Sequence, residues 1–212
     1  MTLIPCTDLS PAAWLVNSTR VWDVLAGFGP DAFDAHARLR FRSDPAYPGQ
    51  QENDADTEDT PTETDMLRTT LGTLAGHTRT PDECYFALWE GWCSDLEAGA
   101  TSRDQDVVPA FPPAVMNGPK VEIPNRAYYL FRGKLSDFGD WGETEMWPGH
   151  PRFSMPDPAF IWPADHAWCI ANDVDPHWAG IGARTEAISA LLAIADLDVV
   201  RANPHEVQPA YF

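Results

Sequence analysis

The chain has 212 residues, 44% of them hydrophobic, which is enough to bury one sizeable core, and it reads as a single α+β domain over 1–212. Its 32 acidic residues against 14 basic ones give a formal charge of −18. A field of that sign repels phosphate backbones and anionic lipid headgroups, so nucleic-acid binding and membrane-surface binding are not expected.

No run of the chain approaches the length of a membrane-spanning helix, and residues 1–15 lack the basic and apolar regions of a secretion signal. The four cysteines, Cys6, Cys84, Cys93 and Cys169, sit in or beside apolar segments without C-x-x-C spacing, so reduced, buried thiols in a cytoplasmic protein are expected.

Residues 8–28 combine a cap at Asp8 or Ser10, a proline suited to a first helical turn at Pro11, and apolar Trp14, Leu15, Val21, Trp22 and Leu25. They predict a short helix, or a helix and a strand. Residues 33–42 alternate strictly between apolar and polar, the period of a half-buried strand, with His36, Arg38, Arg40 and Arg42 on its solvent face. Those arginines suit an anion or the acidic segment that follows. That segment, 43–65, is rich in Asp, Glu, Thr and Pro, cannot offset its ordering entropy by apolar burial, and predicts a mobile acidic loop.

Helical spacing returns over 66–77, with Thr64 or Asp65 as caps, and Pro81 forbids its continuation. Residues 84–93 are a nearly continuous apolar run, the pattern of a strand covered on both faces, with Glu90 its one charge. The span 94–125 reads as loop. A second aromatic strand follows at 127–135, and Arg132 on it would answer Glu90 if the two strands pair. The excursion 136–163 carries Trp141, Trp147 and Trp162 among prolines, a composition that can line a groove. A third strand is predicted over 166–174 and the clearest helix over 185–197, with Gly180 and Gly182 making a strand-to-helix turn between them. Residues 205–212 would form a last strand or an extended terminus.

The densest polar cluster is Asp165, His166, Asp173, Asp175 and His177. Asp173, Asp175 and His177 fall at i, i+2 and i+4, one side of an extended chain, but Pro176 interrupts the regularity, and no metal or cofactor is expected. The leading expectation is a non-enzymatic protein that binds a protein or a small polar ligand through an aromatic surface over 138–182. That surface comprises Trp141, Trp147, Trp162, Asp165, His166, Asp173, Asp175, His177, Trp178 and Arg132, and a basic protein is one partner it would neutralise. The alternative is a small hydrolase or transferase with Glu90, His166 and Asp173 near one pocket, because acid/base catalysis needs titratable groups in contrasting environments.

The segments TPDECYFALWEG (80–91), YYLFRG (128–133) and WPADHAWCIANDVD (162–175) resemble a group of uncharacterised actinobacterial proteins with TPD-x-C-x-FALW-x-G, YYLF-x-G and WPAD-x-AWC-x-A-x-D-x-D in that order. The likeness covers roughly 65–200 and implies an interaction role by analogy, with no catalytic residue to carry over.

Overall fold

The computed structural model describes residues 3–54, 61–91, 111–140 and 156–211. Its centre is one antiparallel sheet in which β1 (Ile4–Pro5), β5 (Arg126–Gly133), β3 (Cys84–Trp89), β6 (Phe160–Pro163), β7 (Trp168–Ala171), β8 (Trp178–Ala183), β2 (Ala35–Arg40) and β9 (Val199–Arg201) lie side by side in that order. A further strand, β4 (Val121–Ile123), also pairs with β5. Helices α1 (Ala13–Val16), α2 (Trp22–Phe28), α3 (Glu63–Leu74), α4 (Pro113–Met116) and α5 (Thr185–Leu192), with short 3-10 turns, accompany the sheet among the described residues, and the fold is α+β as the alternation predicts.

Strand alternation divides the core into two layers. Cys84, Phe86 and Leu88 of β3 face Tyr129, Phe131, Ile161, Trp168 and Ile170, under Leu67, Leu71 and Leu74 of α3 and Ile188 and Leu191 of α5. Tyr85 and Ala87 point the other way, with Tyr128, Leu130, Phe160, Trp162 and Cys169, under Leu15 of α1 and Leu25 of α2. A strand covered on both faces has no polar face to show, which is why 84–89 reads as an unbroken apolar run.

Several boundaries differ from the sequence expectation. The first helical region holds two helices, and Asp8 accepts the Ser10 amide at 2.9 Å at the start of the 3-10 turn Ser10–Ala12 that leads into the first, whose own N-cap, Ala12, has no side-chain hydrogen bond. Helix α3 starts earlier than 66, because the Thr62 hydroxyl rather than Thr64 or Asp65 accepts the free Asp65 amide. In the span expected to be loop over 94–125, α4 and β4 are regular structure, and Ile123 pairs with Arg126 around a Pro124-Asn125 turn. Asn125 takes φ 66 there, the left-handed conformation that asparagine tolerates. The remainder of that span, 94–110, lies outside the described residues.

The largest correction concerns 178–183. Gly180 and Gly182 do not make a turn; they lie inside β8, paired with Arg38 and His36 of β2. A Cβ on Gly180 would sit 1.8 Å from the Gly27 carbonyl oxygen, and one on Gly182 would sit 2.3 Å from the Phe33 ring. The glycines are there because α2 and the approach to β2 rest directly on the strand backbone. Helix α5 follows from Arg184 and ends at Leu192, short of 197, and the apolar residues after it form the edge strand β9 against β2. Residues 205–211 form no strand; Tyr211 instead donates its hydroxyl to the Ser43 carbonyl at 2.7 Å.

Candidate functional site

Strand β7 splits the polar cluster of the sequence into two separate places. Asp165 and His166 occupy the turn between β6 and β7, whereas Asp173, Asp175 and His177 occupy the connection from β7 to β8. The strand between them is Trp168–Ala171, so at about 3.3 Å per residue the groups stand at opposite ends of the sheet.

At the first end, Asp165 ties two loops together. Its carboxylate accepts the Thr78 hydroxyl at 2.7 Å, the Arg79 amide at 2.9 Å and the Ala167 amide at 3.2 Å. The Arg79 side chain adds a looser contact at 3.7 Å. Burial would raise this carboxyl, but these donors outweigh it and hold it below the usual carboxylate range. The next residue, His166, adopts φ 53, unusual for a residue with a side chain. Its ring stacks on Trp14 with centroids 4.2 Å apart and planes 13° from parallel. Burial lowers its proton affinity against the opposing pull of Asp165 and of a hydrogen bond with the Pro11 backbone, so the imidazole is favoured in its neutral form.

Around this turn lies a cavity of about 670 Å³ lined by Phe33, Asp34, His77, Thr78, Arg79, Asp165, His166 and Arg184, among others. The lining comes from four parts of the chain: the approach to β2, the short 3-10 turn Ala75–His77 after α3, the β6–β7 turn, and the junction of β8 with α5. Of these residues the sequence singled out Asp165 and His166; His77, Arg79, Asp34 and Arg184 went unnoticed. Their only signal is position, at the ends of elements that the topology gathers on one side.

At the opposite end, charges are matched. Arg126 contacts Asp173 at 3.3 Å and Asp175 at 3.6 Å, and its guanidinium lies 4.1 Å from the Trp89 ring centroid. His177 meets Asp44 at 3.2 Å. Asp44 is the hub here, gripped by both Arg38 nitrogens at 2.6 and 2.9 Å and by Arg40 at 3.0 Å. Burial opposes its ionisation, but the bonds from Arg38, His177 and Arg40 prevail and keep the carboxyl well below its ordinary range. The strand face expected in solvent is therefore largely closed, with Arg38 only 5% exposed. The arginines do meet the following acidic segment, Arg42 reaching Glu52 at 3.1 Å. Within 43–54, Asp44 and Glu52 are the carboxylates that hold these arginines, while 55–60 lie outside the described residues.

A smaller cavity of about 380 Å³ lies beside this network, lined by Glu63, Asp157, Asp173, Asp175 and His177 among others. Among the described residues no group of three or more His, Cys, Asp or Glu side chains is arranged to hold a metal ion.

The other expected site residues are distributed as follows. Trp162 is fully buried and Trp178 is 6% exposed, so both belong to the core and offer no contact surface. Trp141 and Trp147 lie outside the described residues. Arg132 is exposed and stands opposite Tyr85, so it does not meet Glu90, whose partner is Lys120. Glu90, His166 and Asp173 are not brought to one pocket: Glu90 and Asp173 follow the ends of β3 and β7 at the salt-bridged side, and His166 lies across the sheet from them. Cys84 and Cys169 are buried free thiols, Cys6 is a half-buried one, and burial pushes Cys6 up to about 11 and Cys84 up to about 12. Cys93 lies outside the described residues.

In comparisons with known proteins, no family, no curated protein and no solved structure matches this chain. No helix among the described residues is long and apolar enough to cross a membrane.

Proposed function

We propose that the chain is a non-enzymatic binding protein that holds a small polar ligand in the cavity beside Asp165 and His166. The observation that carries this reading is the convergence there of polar side chains from four chain segments on one preformed concavity. Its size falls in the range of roughly 300–1,000 Å³ common to small-molecule sites. His166 supports it further, since a side chain held at positive φ against an aromatic ring is costly and such conformations gather at functional sites. The role suits a cytoplasmic protein with unpaired thiols.

The second reading is capture of a basic protein by the acidic surface, favoured by the net charge of −18. The two separate in one experiment. A thermal-shift screen of a polar metabolite library is run on the native chain and on His166→Asn, asparagine being chosen because it accepts the same backbone conformation. Ligands that raise the midpoint of the native chain and lose that effect in the variant support the cavity. A screen with no such ligand, alongside salt-sensitive binding of a cationic protein, supports the second reading instead.

A further inference from the structure

Strands β2 and β8 end on the pair Ala35 and Ala183. Asp34 comes immediately before that pair and Arg184 immediately after it, so the two charged residues face each other one step beyond the last paired position. Opposite charges across a ladder ordinarily join. Here they do not: among the described residues neither side chain has a hydrogen bond or an ion pair, both are exposed, and both line the 670 Å³ cavity.

Arg20, Arg38, Arg40, Arg42, Arg68 and Arg126 each reach a carboxylate at 3.3 Å or less. Among the described residues Arg132 and Arg201 also reach no carboxylate, but of the three only Arg184 lines this cavity, with a solitary carboxylate facing it from the neighbouring strand. The other carboxylate of the lining, Asp165, already accepts from Thr78, Arg79 and Ala167. The unmet capacity of the cavity is therefore one cation and one anion on neighbouring strands of its wall, with the His77 and Phe33 rings also in the lining.

From this arrangement we infer that the cavity takes a zwitterion, an amino acid or a short peptide of amino-acid chemistry. Its carboxylate lies against the Arg184 guanidinium and its ammonium against Asp34. The guanidinium fork matches a carboxylate through two parallel hydrogen bonds, and an ammonium suits a carboxylate as a compact donor. The ligand bridges two charges that the protein leaves apart. The inference rests on the proposal that this cavity is the binding site.

The test is a calorimetric titration of the full chain with the common amino acids and a set of dipeptides. The tightest of them is then compared with two relatives of the same skeleton, one lacking the amino group and one lacking the carboxylate. The expected result is a loss of tenfold or more in affinity for either relative. Arg184→Gln removes the advantage of the carboxylate and Asp34→Asn removes that of the ammonium, each leaving the other preference intact; both positions are exposed, so neither change endangers the fold. The inference is overturned if no zwitterion binds, if the one-charge relatives bind as well, or if the two variants bind like the native chain. Should the library screen yield His166-dependent ligands that are uncharged or purely anionic, the cavity proposal stands and the zwitterion falls.

Discussion

The His166 ring lies flat on Trp14, with 4.2 Å between centroids, and so joins the β6–β7 turn to the first helix of the chain. This contact gives the candidate site one rigid wall and sets the protonation of its imidazole. Burial depresses the His166 pKa from the ordinary 6.5. A base whose folded pKa lies below its unfolded one binds more protons when unfolded, so stability rises with pH through that interval. Acidification from neutral pH through 6.5 and down to the folded value should therefore destabilise the protein through this residue. NMR titration should find the His166 midpoint below 6.5, and Trp14→Leu should move it upward by admitting water. A midpoint at the ordinary value in the native chain would contradict the packing described.

Asp165 shows the opposite linkage. Its carboxyl is held below the ordinary 3.8. The stability it contributes is complete above the unfolded value and is lost as pH falls through the folded one. Asp165→Asn should cost about 1–3 kcal/mol at neutral pH, the range for weakening hydrogen bonds to a charged group whose donors are half-buried or exposed. It should also weaken any ligand binding by freeing the Thr78–Arg79 loop. Urea denaturation at pH 7 and at pH 3 checks both parts, since the difference between variant and native chain should shrink at the lower pH.

Asp44 is the residue on which the other end of the sheet depends. Arg38 is 5% exposed, and Asp44→Ala would leave its guanidinium buried without a carboxylate. Breaking one side of such a pair costs about 3–5 kcal/mol. Chemical denaturation should register that loss, while ligand binding at the opposite end of the sheet should change little. A substitution with less than half that cost would show that the network is looser than its distances imply.

Gly180→Ala tests the packing of α2. The added methyl would meet the Gly27 carbonyl oxygen at 1.8 Å, a backbone atom with no rotamer to escape through. Helix α2 must shift, and a loss of about 3 kcal/mol or more is expected by denaturant unfolding, toward the upper end of overpacking effects. Gly72→Ala is the matched control, because nothing lies within 4 Å of a Cβ there. In an exposed helix it should be neutral or stabilising by up to about 1 kcal/mol.

What was legible in the sequence follows from periodicity. Strands β2, β3, β5 and β7 and helices α3 and α5 each bury enough of one face, or both, to write a pattern. Strand β8 was missed because its two glycines carry no side-chain pattern; they answer to Gly27 and Phe33, which lie 153 and 149 positions earlier in the chain. Strand β6 is short and ends in Pro163, a residue that ordinarily argues against a strand. The polar cluster at 165–177 was visible as composition, but composition could not divide it, since the four residues of β7 separate its halves only once the chain is extended. Arg184 and Asp34 left no trace in the sequence because what distinguishes them is the absence of a partner among the described residues, which only the assembled ladder exposes.

The measurement that bears most directly on the account is a chemical-shift map of the isotopically labelled chain, titrated with the tightest ligand from the zwitterion series. Perturbations are expected at Asp34, His77, Thr78, Arg79, His166 and Arg184, with the imidazole signal of His166 among the largest. Shifts gathered instead around Asp173, Asp175 and His177, or an unchanged spectrum at saturating ligand, would contradict it.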